Sequence, residues 1–428
     1  MLAAMPPSSS KPRNGGESHI RDAPVRGRPD GPARPVRDRD DACPGALRLH
    51  RADDGGLARL RLPTGVLTPR QLFVLADAAD RLGDGRVGVT SRGNIDLRGL
   101  GDGCGAELAE VLSDAGLLPS AAHERVRNMV VSPLAGLDGQ GCADVQLWAR
   151  ELDGLLCAEA WTAALSGRFL FAVDDGRGDV AGLGGDVTLL AEPGGHALVR
   201  IGGRALRVAA ADAPRAALAA AEAFLAAARE AGTGAWRVAE LPEGRRVDVA
   251  GHLARAGVAA EPAAPEAYPV AGPPEPGVVG DGRAVSVVAP LGRVTSGQFR
   301  ALAPAAEVRA AAVPRAEVRV TPWRGFVVTG LADHGAAEAR LAALEEAGYL
   351  TRPDTPWLGV TACTGRPGCA KSLADVRTDA RPLDHGGLPV HWSGCERRCG
   401  HPRGAWVDVL ATGDATYDIT VRDDVQKR

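Results

Sequence analysis

Residues 62–100, LPTGVLTPRQLFVLADAADRLGDGRVGVTSRGNIDLRGL, and residues 290–331, PLGRVTSGQFRALAPAAEVRAAAVPRAEVRVTPWRGFVVTGL, follow one plan. Thr68 and Gln71 of the first fall on Thr295 and Gln298 of the second, and VGVTSRGNIDLRGL falls on VRVTPWRGFVVTGL. Each copy reads as a Gly-containing turn, a helix capped by its threonine, then an alternating strand. Two copies this far apart are too few for a solenoid, so the pattern predicts a duplicated domain with a central cleft.

Strand and helix signals alternate through the rest of the chain. Between the copies, VRNMVVSPLAG (126–136) and RFLFAVDDG (168–176) are strand-like runs ending in turn residues, and PRAALAAAEAFLAAAREAG is an Ala-rich helix closed by Gly232. After the second copy, AAEARLAALEEAGYL predicts an amphipathic helix. An α+β architecture with several mixed sheets follows. The stretch EPAAPEAYPVAGPPEPG (261–277) is a linker, because closely spaced prolines rule out helix and central strand. Residues 1–42 are rich in Pro, Gly, Arg and Asp and poor in aliphatic side chains, which predicts a disordered tail, and their acids argue against an organelle transit peptide.

Composition sets outer limits. The chain has 428 residues, 45% of them hydrophobic, enough for two to four packed domains. A net charge of −3 gives no basic field for nucleic acid, and no apolar run approaches a membrane span. A cytoplasmic location is expected, since nothing marks secretion.

Four of the eight cysteines form two close pairs, Cys363 and Cys369 in ACTGRPGCAKS, then Cys395 and Cys399 in SGCERRCGHP. A [4Fe–4S] cube takes one thiolate per iron, and the Gly and Pro around both pairs let loops wrap a compact anion. Zinc is the competing reading, although its paired ligands usually stand two to four residues apart, which suits the first pair poorly. Disulfides would need an oxidising compartment. Cys43, Cys104, Cys142 and Cys157 lack metal-like spacing and receive no role.

These motifs, in this order on a duplicated chain, resemble the sulfite and nitrite reductase superfamily and, within it, the precorrin-3B synthase branch. The likeness covers roughly residues 43–428. It implies ferredoxin-like half domains at 43–119 and 281–350, an α/β domain at 120–260, a Pro-rich linker at 261–280 and a cluster-bearing domain at 351–428. The two half domains would frame a tetrapyrrole, with the [4Fe–4S] cluster beneath it.

Tetrapyrrole carboxylates call for arginine, whose fork donates two parallel hydrogen bonds and keeps its charge. The matching positions are Arg61, Arg92, Arg98, Arg127 and Arg168, with Asn94 and Asn128 beside them. The plain alternative is a wet strand face, on which alternation would put Arg92, Asn94, Asp96 and Arg98 together. The resemblance further implies that reductases carry two basic residues two positions apart at Arg168; here Phe169 and Leu170 follow, and Leu170 is suited to packing on an organic ring.

For the synthase branch the implied reaction is precorrin-3A plus dioxygen and reducing equivalents from NADH giving precorrin-3B, with a mononuclear non-haem iron as the oxygen site. His123, His391 and His401 are the histidines nearest the motifs, yet no H-x-D/E pair assigns that iron. GDGCGA (101–106), with Glu124 about twenty residues on, formally matches a dinucleotide fingerprint. An ordinary strand-to-helix connection explains it better, so a separate reductase is expected to deliver the electrons. No general acid or base is assigned from sequence. The alternatives are a siroheme-dependent sulfite or nitrite reductase and a non-catalytic iron–sulfur or zinc protein that binds a tetrapyrrole.

Overall fold

The computed structural model describes residues 41, 43–264, 270–303, 316–384 and 386–423. The expected disordered tail lies outside them, save Asp41. Twenty strands form four sheets among the described residues.

The first copy contributes β1 (His50–Ala52), β2 (Gly55–Leu60), β3 (Val66–Leu67), helix α1 (Pro69–Leu82), β4 (Arg86–Val89), β5 (Ile95–Leu100) and α2 (Gly105–Asp114). Next come β6 (Met129–Val131), α3 (Val145–Ala158), β7 (Phe171–Asp174), β8 (Val187–Glu192), β9 (His196–Ile201), β10 (Arg204–Ala209), α4 (Ala213–Ala231), α5 (Val249–Arg255) and β11 (Ala260–Ala263). The second copy supplies β12 (Gly277–Val279), β13 (Ala284–Val288), β14 (Arg293–Thr295), α6 (Ser296–Ala301), β15 (Val318–Val320), β16 (Gly325–Thr329) and α7 (His334–Glu346). Last are β17 (Val360–Ala362), α8 (Val376–Asp379), β18 (Val390–Ser393), β19 (Ala405–Gly413) and β20 (Thr416–Asp423).

Both repeat helices begin with a full capping box. Thr68 Oγ1 accepts from Gln71 N while Gln71 Oε1 accepts from Thr68 N; Thr295 and Gln298 do the same. The two glutamines share a second task. Gln71 Nε2 donates to Ala115 O at the end of α2, and Gln298 Nε2 donates to Ala347 O at the end of α7, at 3.0 and 2.9 Å. One side chain thus closes the start of one helix and the finish of another in each copy.

The single alternating strand expected after each helix is instead an antiparallel hairpin, β4–β5 in the first copy and β15–β16 in the second. Turn residues in the middle of the run reverse the chain, so Arg92 and Asn94 sit in a turn, off the strand face that holds Asp96 and Arg98.

The copies also exchange a strand. Short β14 pairs with β4 of the first copy, Val294 opposite Val87, and β3 pairs with β15 of the second, Val318 opposite Leu67. The sheets run β1-β2-β5-β4-β14 and β12-β13-β16-β15-β3. Consequently the two half domains bury one common core, with Leu72, Leu75, Val87 and Ile95 packed among Val285, Val294, Phe299, Val318 and Phe326. At about 25 cal/mol per Å² of apolar surface, that shared burial opposes separation of the copies.

The six-stranded sheet β11-β10-β9-β8-β7-β6 is parallel through β6, β7 and β8 and antiparallel beyond. Met129, Val131, Phe171 and Val173 point into a core with α3 and α4, while Val130 and Ala172 face the other way, as strand alternation requires. Helix α4 ends as expected at Gly232, whose φ of +61° suits a residue without Cβ. Two expectations change. The linker begins with β11, which tolerates Pro262 because it is an edge strand, and α7 buries only Ala337 and Leu344.

Candidate functional site

In the last domain β17, β18 and β19 run parallel, and the cysteine pairs occupy the loops leaving the carboxyl ends of β17 and β18. Adjacent parallel strands bring together loops about thirty residues apart in sequence, in the position where open α/β sheets bind ligands. Cys363 N donates to Trp392 O at 3.0 Å, and Gly394 N donates to the Cys363 sulfur at 3.2 Å. Gly394 is required by close approach, since a Cβ there would collide with the Ser372 hydroxyl.

Burial pushes the Cys363 thiol up, backbone N–H groups of Gly394 and Gly365 pull it down, and the sulfurs of Cys399 and Cys395 push it up again. Cys399 is raised by burial and then by Cys395, with Cys369 adding to it. All four sulfurs therefore share one electrostatic neighbourhood. Among the described residues, however, no three of them lie within 4.8 Å of one another. A tetrahedral zinc with bonds of about 2.3 Å would draw its sulfurs to roughly 3.8 Å. Four thiols on adjoining loops are a donor set for a thiophilic metal centre.

The first half domain fastens the Cys369 loop. Arg98 forks onto Asp54 at 2.9 and 2.8 Å and donates to Gly368 O at 3.0 Å, and Ala370 N donates to Asp53. Arg98 is thus committed to the loop. Other candidates are similarly engaged. Arg61 donates to the carbonyls of Arg125 and Gly167; burial, then Arg59, pulls its pKa down to about 10. Arg127 forks onto Asp153 with both contacts at 2.6 Å. Asn94 accepts from Leu62 N and donates to Asn128, which donates to Phe169 O.

Arg92 and Arg168 keep donor capacity. Arg92 Nη1 reaches Arg168 O at 3.4 Å, and exposed Arg168 lies over the Trp236 ring, 5.1 Å from its centroid. Burial, then Arg237, lowers Arg92 to about 10, so it stays charged at neutral pH. Arg237 binds Asp186 and Gly184 O, and Arg403, just past Cys399, donates to Gly182 O. Beside these cations lies an apolar floor of Val130, Leu170, Ala172 and Val180, edged by half-buried Leu183 and Trp323. Leu170 is 1% exposed, so it supports this floor from beneath and does not itself meet a ring.

The two hairpin turns meet here: a Cβ on Gly93 would lie 3.2 Å from Val320 O. Sequence reading missed Trp236, Arg237, Trp323, Arg324, Arg377 and Arg403. The available signal was Arg324, which stands in the second copy where the first has Gly93.

The histidines offer little for a mononuclear iron. His123 has both ring nitrogens engaged, by Ser120 and Glu159 O, and His401 stacks on Trp406. His391 bonds Thr361 through Nδ1, with Nε2 buried and unpartnered; burial, then Arg324, holds its pKa near 3. The one close group of three ligand-type side chains among the described residues is Asp174, Asp175 and Asp179. Asp174 accepts four backbone N–H bonds from its own loop, Asp175 binds Arg177 and Asp179 binds Ser132, so these acids hold the turn after β7. For a dinucleotide, β5 has antiparallel neighbours and Glu124 is taken by the N–H groups of Ala46 and Leu47.

Residues 50–112 and 277–346 match the family described as nitrite/sulfite reductase ferredoxin-like half domain. A precorrin-3B synthase from Sinorhizobium sp. is 29% identical over 85% of this chain and 79% of its own length. A ferredoxin–nitrite reductase from Synechococcus elongatus is 28% identical over 83% of this chain and 76% of its own. The solved Mycobacterium tuberculosis NirA protein, 19% identical, superposes with a TM-score of 0.62 over 86% of this chain and 73% of that one, a likeness of fold. The chain thus carries a pair of nitrite/sulfite reductase ferredoxin-like half domains and, over most of its length, is similar both to a precorrin-3B synthase and to a ferredoxin–nitrite reductase.

Proposed function

We propose that this protein is an oxygen-dependent tetrapyrrole hydroxylase that converts precorrin-3A to precorrin-3B in cobalamin biosynthesis. Positions 168 and 170 carry the proposal: a single exposed cation is followed by a buried leucine, where the resemblance implies that oxyanion reductases keep a second cation. Similarity to the Sinorhizobium synthase across most of both chains supports the same choice. Siroheme-dependent nitrite or sulfite reduction is the second reading, favoured by the likeness to the cyanobacterial enzyme.

Cys363, Cys369, Cys395 and Cys399 would hold the [4Fe–4S] cluster, which when bound supplies electrons one at a time. Arg92 and Arg168 bind substrate carboxylates, with Arg403 adding positive field nearby. Trp323 and Leu183 present an apolar surface to the macrocycle and exclude water beneath it. The overall change balances: one oxygen atom of dioxygen enters the new hydroxyl and the other leaves as water, with two electrons and two protons delivered through a separate reductase. The double bond between the hydroxylated meso carbon and its ring neighbour opens, an oxygen of the ring acetate bonds to the neighbour to close the lactone, and the carboxyl proton ends on the new hydroxyl.

The test is anaerobic purification, with iron, sulfide and absorption measured, then turnover of precorrin-3A under isotopically labelled oxygen. Expected are a cluster, no siroheme and one labelled oxygen in the product. Label only from water, or bound siroheme with nitrite or sulfite reduction, would overturn the proposal in favour of the second reading.

A further inference from the structure

We infer that Arg324 and Arg377 form a cation pair that faces the cysteine-held centre and raises its reduction potential. The inference rests on the reading that the four cysteines hold an iron–sulfur cluster.

Arg324 first stands out by its backbone. The turns Thr90–Asn94 and Thr321–Gly325 are closed alike: Thr90 N and Thr321 N donate to Asn94 O and Gly325 O, both at 2.9 Å. Each threonine hydroxyl also accepts from the N–H four residues on, both at 3.1 Å. At the equivalent left-handed position the first copy has Gly93, φ +64°, and the second has Arg324, φ +61°. A side chain there carries a steric cost that glycine avoids, and such outliers persist where the side chain has a task.

The task lies toward the cysteines. Arg324 Nη2 donates to Gly400 O at 2.8 Å, beside Cys399, and a Cβ on Gly292 would collide with the Arg324 side chain. Arg377, on the short helix between the cysteine pairs, donates to Leu291 O at 3.3 Å and keeps Nε buried and unpartnered. Neighbouring Arg98 and Arg293 are balanced by Asp54 and Asp84. For Arg324 and Arg377 no carboxylate partner occurs among the described residues.

Burial lowers Arg377 to about 10; Arg293 lowers it further, and the Cys363 sulfur is the anion that raises it. Burial also lowers Arg324. Two half-buried cations without a carboxylate partner favour a nearby anion, and four thiolates around a cluster supply one. Because the reduced centre is one charge more negative than the oxidised one, removing a cation penalises the reduced form more, and the potential falls.

The same chemistry could instead bind a substrate carboxylate, and the experiment separates the two. Cluster-loaded wild type, R324Q, R377Q and R377K are titrated with EPR detection, and tetrapyrrole affinity is measured in parallel. In each Gln variant the ratio of reduced to oxidised cluster at the wild-type midpoint is expected to fall about tenfold, a shift of about 59 mV for a one-electron couple, with R377K close to wild type. R324G, which relieves the left-handed strain, should match R324Q in potential and melt no lower than wild type. Loss of substrate affinity with the potential unmoved overturns the inference. If the Gln variants fail to retain iron, the Lys variants R324K and R377K decide. Both loaded at the wild-type potential would uphold a role of charge, and both empty would refute it. A purified protein with no cluster at all would instead count against the iron–sulfur reading itself.

Discussion

The two hairpin turns differ more than the scaffolds that carry them. Each is five residues long, closed by the same backbone and threonine hydrogen bonds, and preceded by a helix with the same Thr–Gln capping box. On that common frame the first copy displays Arg92, Gly93 and Asn94, and the second displays Trp323, Arg324 and Gly325. A polar cation in one turn thus corresponds to an indole in the other. Buried Asn94 ties the first turn to the next domain, whereas Arg324 ties the second to the loop after Cys399. Duplication supplied the frame, and the asymmetry of three residues per turn gives one copy a polar turn and the other an apolar indole.

The largest break in this comparison should come from Asn94→Ala. It strands the buried Leu62 N–H and the Asn128 side chain, each at about 1–3 kcal/mol, for a total of about 2–6 kcal/mol in urea unfolding of the apoprotein. Gly325, its counterpart, has no side-chain bond to lose. A change below about 1 kcal/mol would mean that the first turn is not anchored through this amide.

Next is Arg92→Ala, expected to weaken tetrapyrrole binding about ten- to a hundredfold, or roughly 1.5–3 kcal/mol, with the iron content unchanged. Trp323→Ala should also weaken binding, but its loss should respond little to salt, because it removes apolar contact and no charge. Equal salt sensitivity in the two variants would erase the proposed division of labour.

A third comparison reverses the glycine. Gly93→Ala should destabilise by about 1–2 kcal/mol, from the left-handed φ and the 3.2 Å approach of its Cβ to Val320 O. Arg324→Gly should return a similar amount. The same sign for both would show that the turns are not equivalent in strain.

How much of this was legible follows from the physics of each feature. The capping boxes were readable because Thr68/Gln71 and Thr295/Gln298 act over three residues of one chain segment. The two close cysteine pairs were readable because their spacing is local, although the meeting of their loops depends on the parallel pairing of β17 and β18. The hairpins were misread as strands, because Thr-Ser-Arg-Gly-Asn and Thr-Pro-Trp-Arg-Gly keep an alternating pattern through the reversal. Strand exchange was illegible: β3 and β14 are two and three residues long and pair across the duplication. Among the arginines, sequence gives charge but not partner. Only geometry shows that Asp54, Asp153 and backbone carbonyls occupy Arg98, Arg127 and Arg61, leaving Arg92 and Arg168 with donor capacity.

The smallest expected effect tests the likeness itself. Thr68→Ala and Thr295→Ala each remove one cap acceptor, at about 1 kcal/mol. In each variant the partner glutamine still reaches the far carbonyl, Ala115 or Ala347, so the loss should stop at the cap and be nearly equal in the two copies. The caps belong to helices that share one core, and Arg300 of α6 pairs with Asp77 and Asp80 of α1. If that core unfolds as one unit, urea unfolding of the double variant should remain a single transition, with its loss within about 0.5 kcal/mol of the sum. Two transitions, or one cap costing far more than the other, would show that the copies unfold separately despite the exchanged strands.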